Sequence, residues 1–141
     1  MPQSLPPWLR KRSALRTLVS VRVSQLTSCS FCIDMNTWLS HEAGVSEDKA
    51  LALVSWRDAD CFTAQERLAL EYAEAMTATP PAVGDELFAR LRAAFDHAAL
   101  VELTAVIAFQ NMSARFNNAL AAEAHGFCTV PPSAGRPPVG R

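Results

Sequence analysis

Apolar residues along this chain recur at three- and four-residue steps and show no sustained apolar–polar alternation, so the pattern predicts helices and no strands. After Pro6-Pro7, Leu15, Leu18, Val19, Val23 and Leu26 mark an amphipathic helix over about 9–26. Thr27-Ser28 break it, and a second helix follows with Ser28 as its expected N-cap and Gly44 in the left-handed position past its end. Ser46 caps a third helix over 47–56, which carries Ala50, Leu51, Leu53, Val54 and Trp56 and closes in the polar loop Arg57-Asp58-Ala59-Asp60. Thr63 and Glu66 have capping-box spacing and open a fourth helix over 64–78, with Leu68, Tyr72, Ala75 and Met76 along one side and Pro80-Pro81 beyond it. A fifth spans 85–95. Asp96 caps a sixth over 98–124, ended by Gly126, whose apolar stripe is Leu100, Leu103, Ile107, Met112, Phe116 and Leu120.

Composition agrees with that reading. The 141 residues are 50% hydrophobic and 19% charged with only five glycines, a profile that favours helices. The length suits one domain that buries roughly two-thirds of its unfolded surface without disulfide staples. We place a helical domain at 1–128 and a disordered tail at 129–141, where four prolines and two glycines lack hydrophobic periodicity. A net charge of −1 with no long charged block argues against nucleic acid as a partner. Arg16 and Arg22 interrupt any apolar run after Arg10-Lys11-Arg12, so neither a secretory signal nor a membrane span is expected, and the expected location is cytoplasmic.

Four cysteines are too few for a secreted disulfide framework, and only Cys29 and Cys32 lie close together; Cys61 and Cys128 are solitary. Residues three apart on a helix share a face, with Cβ atoms about 5–6 Å apart, within adjustment of disulfide geometry. A thiol at a helix N-terminus also meets unpaired N–H groups and the positive end of the helix dipole, which favour thiolate. Cys29 is therefore expected in the first turn and Cys32 one turn deeper, less exposed. The alternatives are a pair of inert buried thiols, or a structural zinc with His125 and Cys128 completing the ligands, although that second spacing is weak.

The run Val21-Arg22-Val23-Ser24-Gln25-Leu26-Thr27-Ser28-Cys29-Ser30-Phe31-Cys32-Ile33-Asp34-Met35 resembles the signature of the carboxymuconolactone decarboxylase-like, alkylhydroperoxidase D-like family, in its CxxC-containing branch. Ser55-Trp56-Arg57-Asp58-Ala59 with Phe62-Thr63-Ala64-Gln65-Glu66-Arg67 resembles that family's tryptophan-arginine loop and next helix. Val101-Glu102-Leu103-Thr104, Asn111 and Arg115-Phe116 resemble its last helix, so the likeness covers about 16–120. It implies an all-α, single-domain bundle of about six helices that forms a homo-oligomer: dimer, trimer or hexamer. The resemblance further implies a thiol-dependent peroxidase in which Cys32 attacks a hydroperoxide, Cys29 resolves the sulfenic acid, and an external dithiol restores the pair. Neither metal nor organic cofactor is called for.

Two positions depart from the family. Its histidine four residues after the second cysteine is Asn36 here, and its glutamate twelve residues before the first is Thr17. Asparagine cannot act as a base near neutral pH, and general-base assistance is typically worth about 10²–10⁴-fold, so weakened turnover is expected. The alternative is a non-catalytic member acting as a helical oligomeric binding module. His41 lies nine residues past Cys32 and points elsewhere; Asp34 is nearer, but its charge disfavours thiolate. His97 and His125 read as helix-end residues, Trp38, Trp56 and the Met112–Phe116 stripe as core or subunit interface, and Arg115 as needing an acidic partner.

Overall fold

A computed structural model describes residues 7–127, with side chains from residue 13 onward. Among these residues six α-helices form an all-α domain with no strand. They are α1 (Pro7–Leu26), α2 (Ser30–Glu42), α3 (Glu47–Ala52), α4 (Ala64–Thr77), α5 (Asp85–Ala94) and α6 (His97–Ala119). The tail expected at 129–141 lies outside the described residues, as does Cys128.

α1 is the central rod, packed against α2, α4 and α6. Its apolar residues serve two cores. Val19 and Val23 join Ala69, Tyr72, Ala73, Leu87, Leu91, Leu103 and Ile107 between α1, α4, α5 and α6, while Leu18 and Val21 join Leu53, Trp56, Phe62 and Leu70 on the other side. A helix buried on both flanks needs apolar residues on two sides, which Leu18 and Val21 supply to one core and Val19 and Val23 to the other.

The expected third helix is α-helical only to Ala52; Leu53–Asp58 tightens into a 3-10 turn, with Ser55 outside helical geometry at φ −123° and ψ 40°. That turn brings Leu53 and Trp56 inward, and the indole N–H donates to Glu74 Oε1 at 2.9 Å. Arg67 then ties down the following loop by donating to the carbonyls of Trp56, Arg57, Ala59 and Phe62. The capping box forms as expected, with Thr63 Oγ1 accepting from Glu66 N–H and Glu66 Oε2 accepting from Thr63 N–H.

Two helix ends differ from the expectation. Ser28 is not the N-cap of α2. It sits at φ 56°, its N–H donates to the Gln25 carbonyl and the Cys29 N–H to the Ser24 carbonyl, which is the paired closure of a Schellman end to α1. The cap of α2 is Cys29 itself. α6 stops at Ala119, not near 124, because Ala121 adopts φ 54° and the N–H groups of Ala121 and Ala122 close the same motif on Asn118 and Asn117. Gly44, at φ 89°, ends α2 as expected.

The stripe expected on α6 is buried only in its first half. Leu100, Leu103 and Ile107 are core, whereas Met112, Phe116 and Leu120 face outward. Trp56 is core, but Trp38 is 40% exposed and leans on Phe127.

Candidate redox site at the start of the second helix

Cys29 and Cys32 are joined as a disulfide with their Cα atoms 5.1 Å apart. The Schellman turn places Cys29 directly on the threshold of α2, where its Sγ accepts from the Cys32 N–H at 3.2 Å and so fills one of the orphan donors of the helix start. Both residues are buried, Cys29 at 0% and Cys32 at 2% exposure, so the expected difference in accessibility is not present. The cause is α6, which crosses the pair: Ala114 packs on both cysteines, and Asn118 Nδ2 donates to the Thr27 carbonyl at 2.8 Å.

A side chain not singled out in the sequence completes the sulfur environment. Asn117 of α6 directs Nδ2 at Cys32 Sγ, 3.5 Å away, and its second N–H at Ser113 Oγ, 3.4 Å away. Polar spacing along α6 signalled it weakly, since a polar residue one turn below the buried Ala114 invites the question of what it faces.

Asn36 bonds side chains of α1 and α6. Its Nδ2 donates to Ser24 Oγ at 3.1 Å and to Gln110 Oε1 at 3.0 Å, a polar cluster linking α1, α2 and α6. Gln110 is 5% exposed, and its Nε2 has no hydrogen-bond partner. Thr17 lies two turns before Ser24 on α1, with its hydroxyl donating to the Ala14 carbonyl. The two departing positions are thus engaged separately, Asn36 across helices and Thr17 on its own.

The remaining candidates fall elsewhere. His41 Nδ1 lies 3.4 Å from the Val45 carbonyl at the far end of α2. Asp34 Oδ2 accepts from the N–H groups of His125 and Phe127, so the chain after α6 folds back along α2. His125 is not a helix-end residue; its ring meets Phe31 edge-on at a centroid distance of 5.9 Å. His97 is the first residue of α6. Arg115 is exposed and bonds the Asn111 side chain at 2.8 Å instead of an acid, since water already solvates it. Cys61 is free and exposed. Among the described residues no group of three or more His, Cys, Asp or Glu side chains is placed to hold a metal ion. Nor is any of their helices long and apolar enough to cross a membrane. An open cleft of about 280 Å³ lined by Leu15, Arg16, Phe95 and Glu102, among others, shares no residue with the cysteine site.

The region from α1 through most of α4, residues 12–75, matches the carboxymuconolactone decarboxylase family. The chain belongs to this family. It is 51% identical over 129 residues to the uncharacterized protein YnjA of Escherichia coli, covering 88% of this chain and 71% of that one. In structure it resembles a protein of unknown function from Agrobacterium tumefaciens described as a candidate antioxidant defence protein AhpD (TM-score 0.74, 29% identity, 78% of this chain and 76% of that one). It also resembles the debrominase Bmp8 (TM-score 0.74, 22% identity, 87% and 63%), a likeness of fold alone. This carboxymuconolactone decarboxylase family fold is the arrangement that the CxxC signature implied.

Proposed function

We propose that this family member is a thiol-dependent peroxidase that cycles through the Cys29–Cys32 pair. The observation that carries the reading is the disulfide itself, formed at a helix start in a chain whose AhpD-like neighbour is described in terms of antioxidant defence. In the cycle, Cys32 thiolate attacks a hydroperoxide oxygen, the O–O bond breaks, and the alcohol leaves after taking up a proton. Cys29 thiol then displaces water from the Cys32 sulfenic acid to give the disulfide. An external dithiol reduces it by exchange, releasing two thiols and its own oxidised form. The assay is peroxide-dependent oxidation of a dithiol donor, with Cys32→Ser as control. Turnover in the parent alone is expected; equal background in both overturns the proposal.

A second reading has its own support. Burial of both sulfurs and the engagement of Asn36 with Ser24 and Gln110 favour a non-catalytic helical module that kept the scaffold. Under it, the pair stays oxidised through repeated exposure to dithiol and peroxide.

Self-association belongs to both readings. Val101, Phe109, Met112, Phe116 and Leu120 are 54–67% exposed along one side of α6, a face suited to burial against a second copy. Light scattering is expected to give an oligomer that Phe116→Glu dissociates; a monomeric parent protein refutes this.

A further inference from the structure

We infer that Asn117 is a catalytic residue of the disulfide cycle, donating a hydrogen bond to Cys32 Sγ that holds this sulfur as thiolate in a chain with Asn36 at the family's histidine position. The inference deepens the peroxidase reading and rests on it for its consequence in turnover.

The geometry leaves little freedom in how this side chain is used. A disulfide sulfur carries no proton, so a carboxamide facing it presents N–H and not oxygen. Nδ2 stands 3.5 Å from Cys32 Sγ, a hydrogen-bond separation for the large sulfur atom, and its other N–H meets Ser113 Oγ one turn back. The backbone is fixed as well, because the Asn117 carbonyl accepts from Ala122 N–H at 2.9 Å in the Schellman end of α6. Asn36, at the position where the family carries its histidine, spends both donors on Ser24 and Gln110. Each sulfur thus accepts from a donor in the structure: Cys29 from the Cys32 N–H, and Cys32 from Asn117.

The consequence falls on two steps. When a donor thiolate attacks Cys29 Sγ, the S–S bond breaks, a mixed disulfide forms at Cys29, and the electron pair leaves on Cys32 Sγ. A leaving thiolate that accepts a charge-assisted hydrogen bond leaves faster. In the peroxide step the same bond keeps Cys32 ionised in a site that burial otherwise turns toward thiol. Asn117 takes no proton; it replaces the charge-stabilising part of the missing relay and not its base.

The test uses the full-length chain, reduced, with the Cys32 Cβ chemical shift followed against pH in the parent, Asn117→Ala and Asn117→Asp. Asn117→Ala is expected to raise the Cys32 ionisation midpoint by about one pH unit, a tenfold loss of thiolate below the midpoint. Asn117→Asp keeps size and shape but sets a carboxylate against the sulfur, so its midpoint is expected to rise further. Disulfide reduction by dithiothreitol should slow by about three- to fivefold in Asn117→Ala, through the poorer leaving group. A merely structural role would shift melting and leave ionisation in place. Midpoints that agree across all three proteins overturn the assignment. Shifted midpoints in a parent that turns over no peroxide overturn the peroxidase reading and leave Asn117 as the Cys32 donor.

Discussion

Replacing Glu74 by glutamine removes one charge from a node where three elements meet. Arg22 of α1 donates twice to Oε1, at 2.9 and 2.6 Å, Trp56 of the 3-10 turn donates to the same oxygen, and Arg57 pairs with Oε2 at 2.6 Å. Burial pushes the Glu74 carboxyl up, but the hydrogen bonds from Arg57, Trp56 and Arg22 outweigh it and lower its pKa from 4.5 to about 2. That displacement sets a ceiling of roughly 3 kcal/mol on the charge's contribution to stability. Arg57 is 56% exposed, so its share is largely screened by solvent, whereas the Arg22 side chain is only 13% exposed and would lose its counter-ion. We expect Glu74→Gln to cost about 2 kcal/mol at pH 7. Because the folded pKa lies below the unfolded one, this contribution is complete above about 4.5 and disappears as pH falls toward about 2. Urea unfolding of both proteins between neutral and acidic pH tests it: the two stabilities should converge as pH falls through that window. A constant difference across pH, or none at pH 7, refutes the argument that the charge is what holds the node.

Asn36→His returns an imidazole to the relay position and should raise peroxide turnover by about a hundredfold, the lower end of the roughly 10²–10⁴ range of general-base assistance; an unchanged rate would show that the missing base is not what limits turnover. Ala121→Gly relieves a left-handed Cβ at φ 54° and is expected to stabilise the fold by about 0.5–1 kcal/mol, read as a higher urea midpoint; destabilisation would mean that the Ala121 methyl makes contacts outweighing the strain. Leu91→Ala, at 0% exposure in the larger core, should cost about 2–5 kcal/mol with the cysteine pair still forming; loss under about 1 kcal/mol would contradict tight packing there.

The helices and most of their starts were legible in the sequence, because periodicity and caps are local: Ser46, Thr63 with Glu66, and Asp96 all accept the N–H bonds that their spacing predicts. The cysteine pair was legible for the same reason, three residues on one helical start. Of the three Schellman ends, Gly44 could be read because glycine announces a left-handed residue, while Ser28 and Ala121 carry no such mark and are held there by the bonds their neighbours make. Only the tertiary structure decided what surrounds the sulfurs. α6 lies far from the cysteines in sequence, and no local rule foretells that Ala114 seals the pair, that Asn117 reaches Cys32 or that Asn36 bonds Gln110 instead of a sulfur. A residue's own chain neighbours set its backbone conformation, but the environment of a reactive atom is set by whichever distant element packs against it.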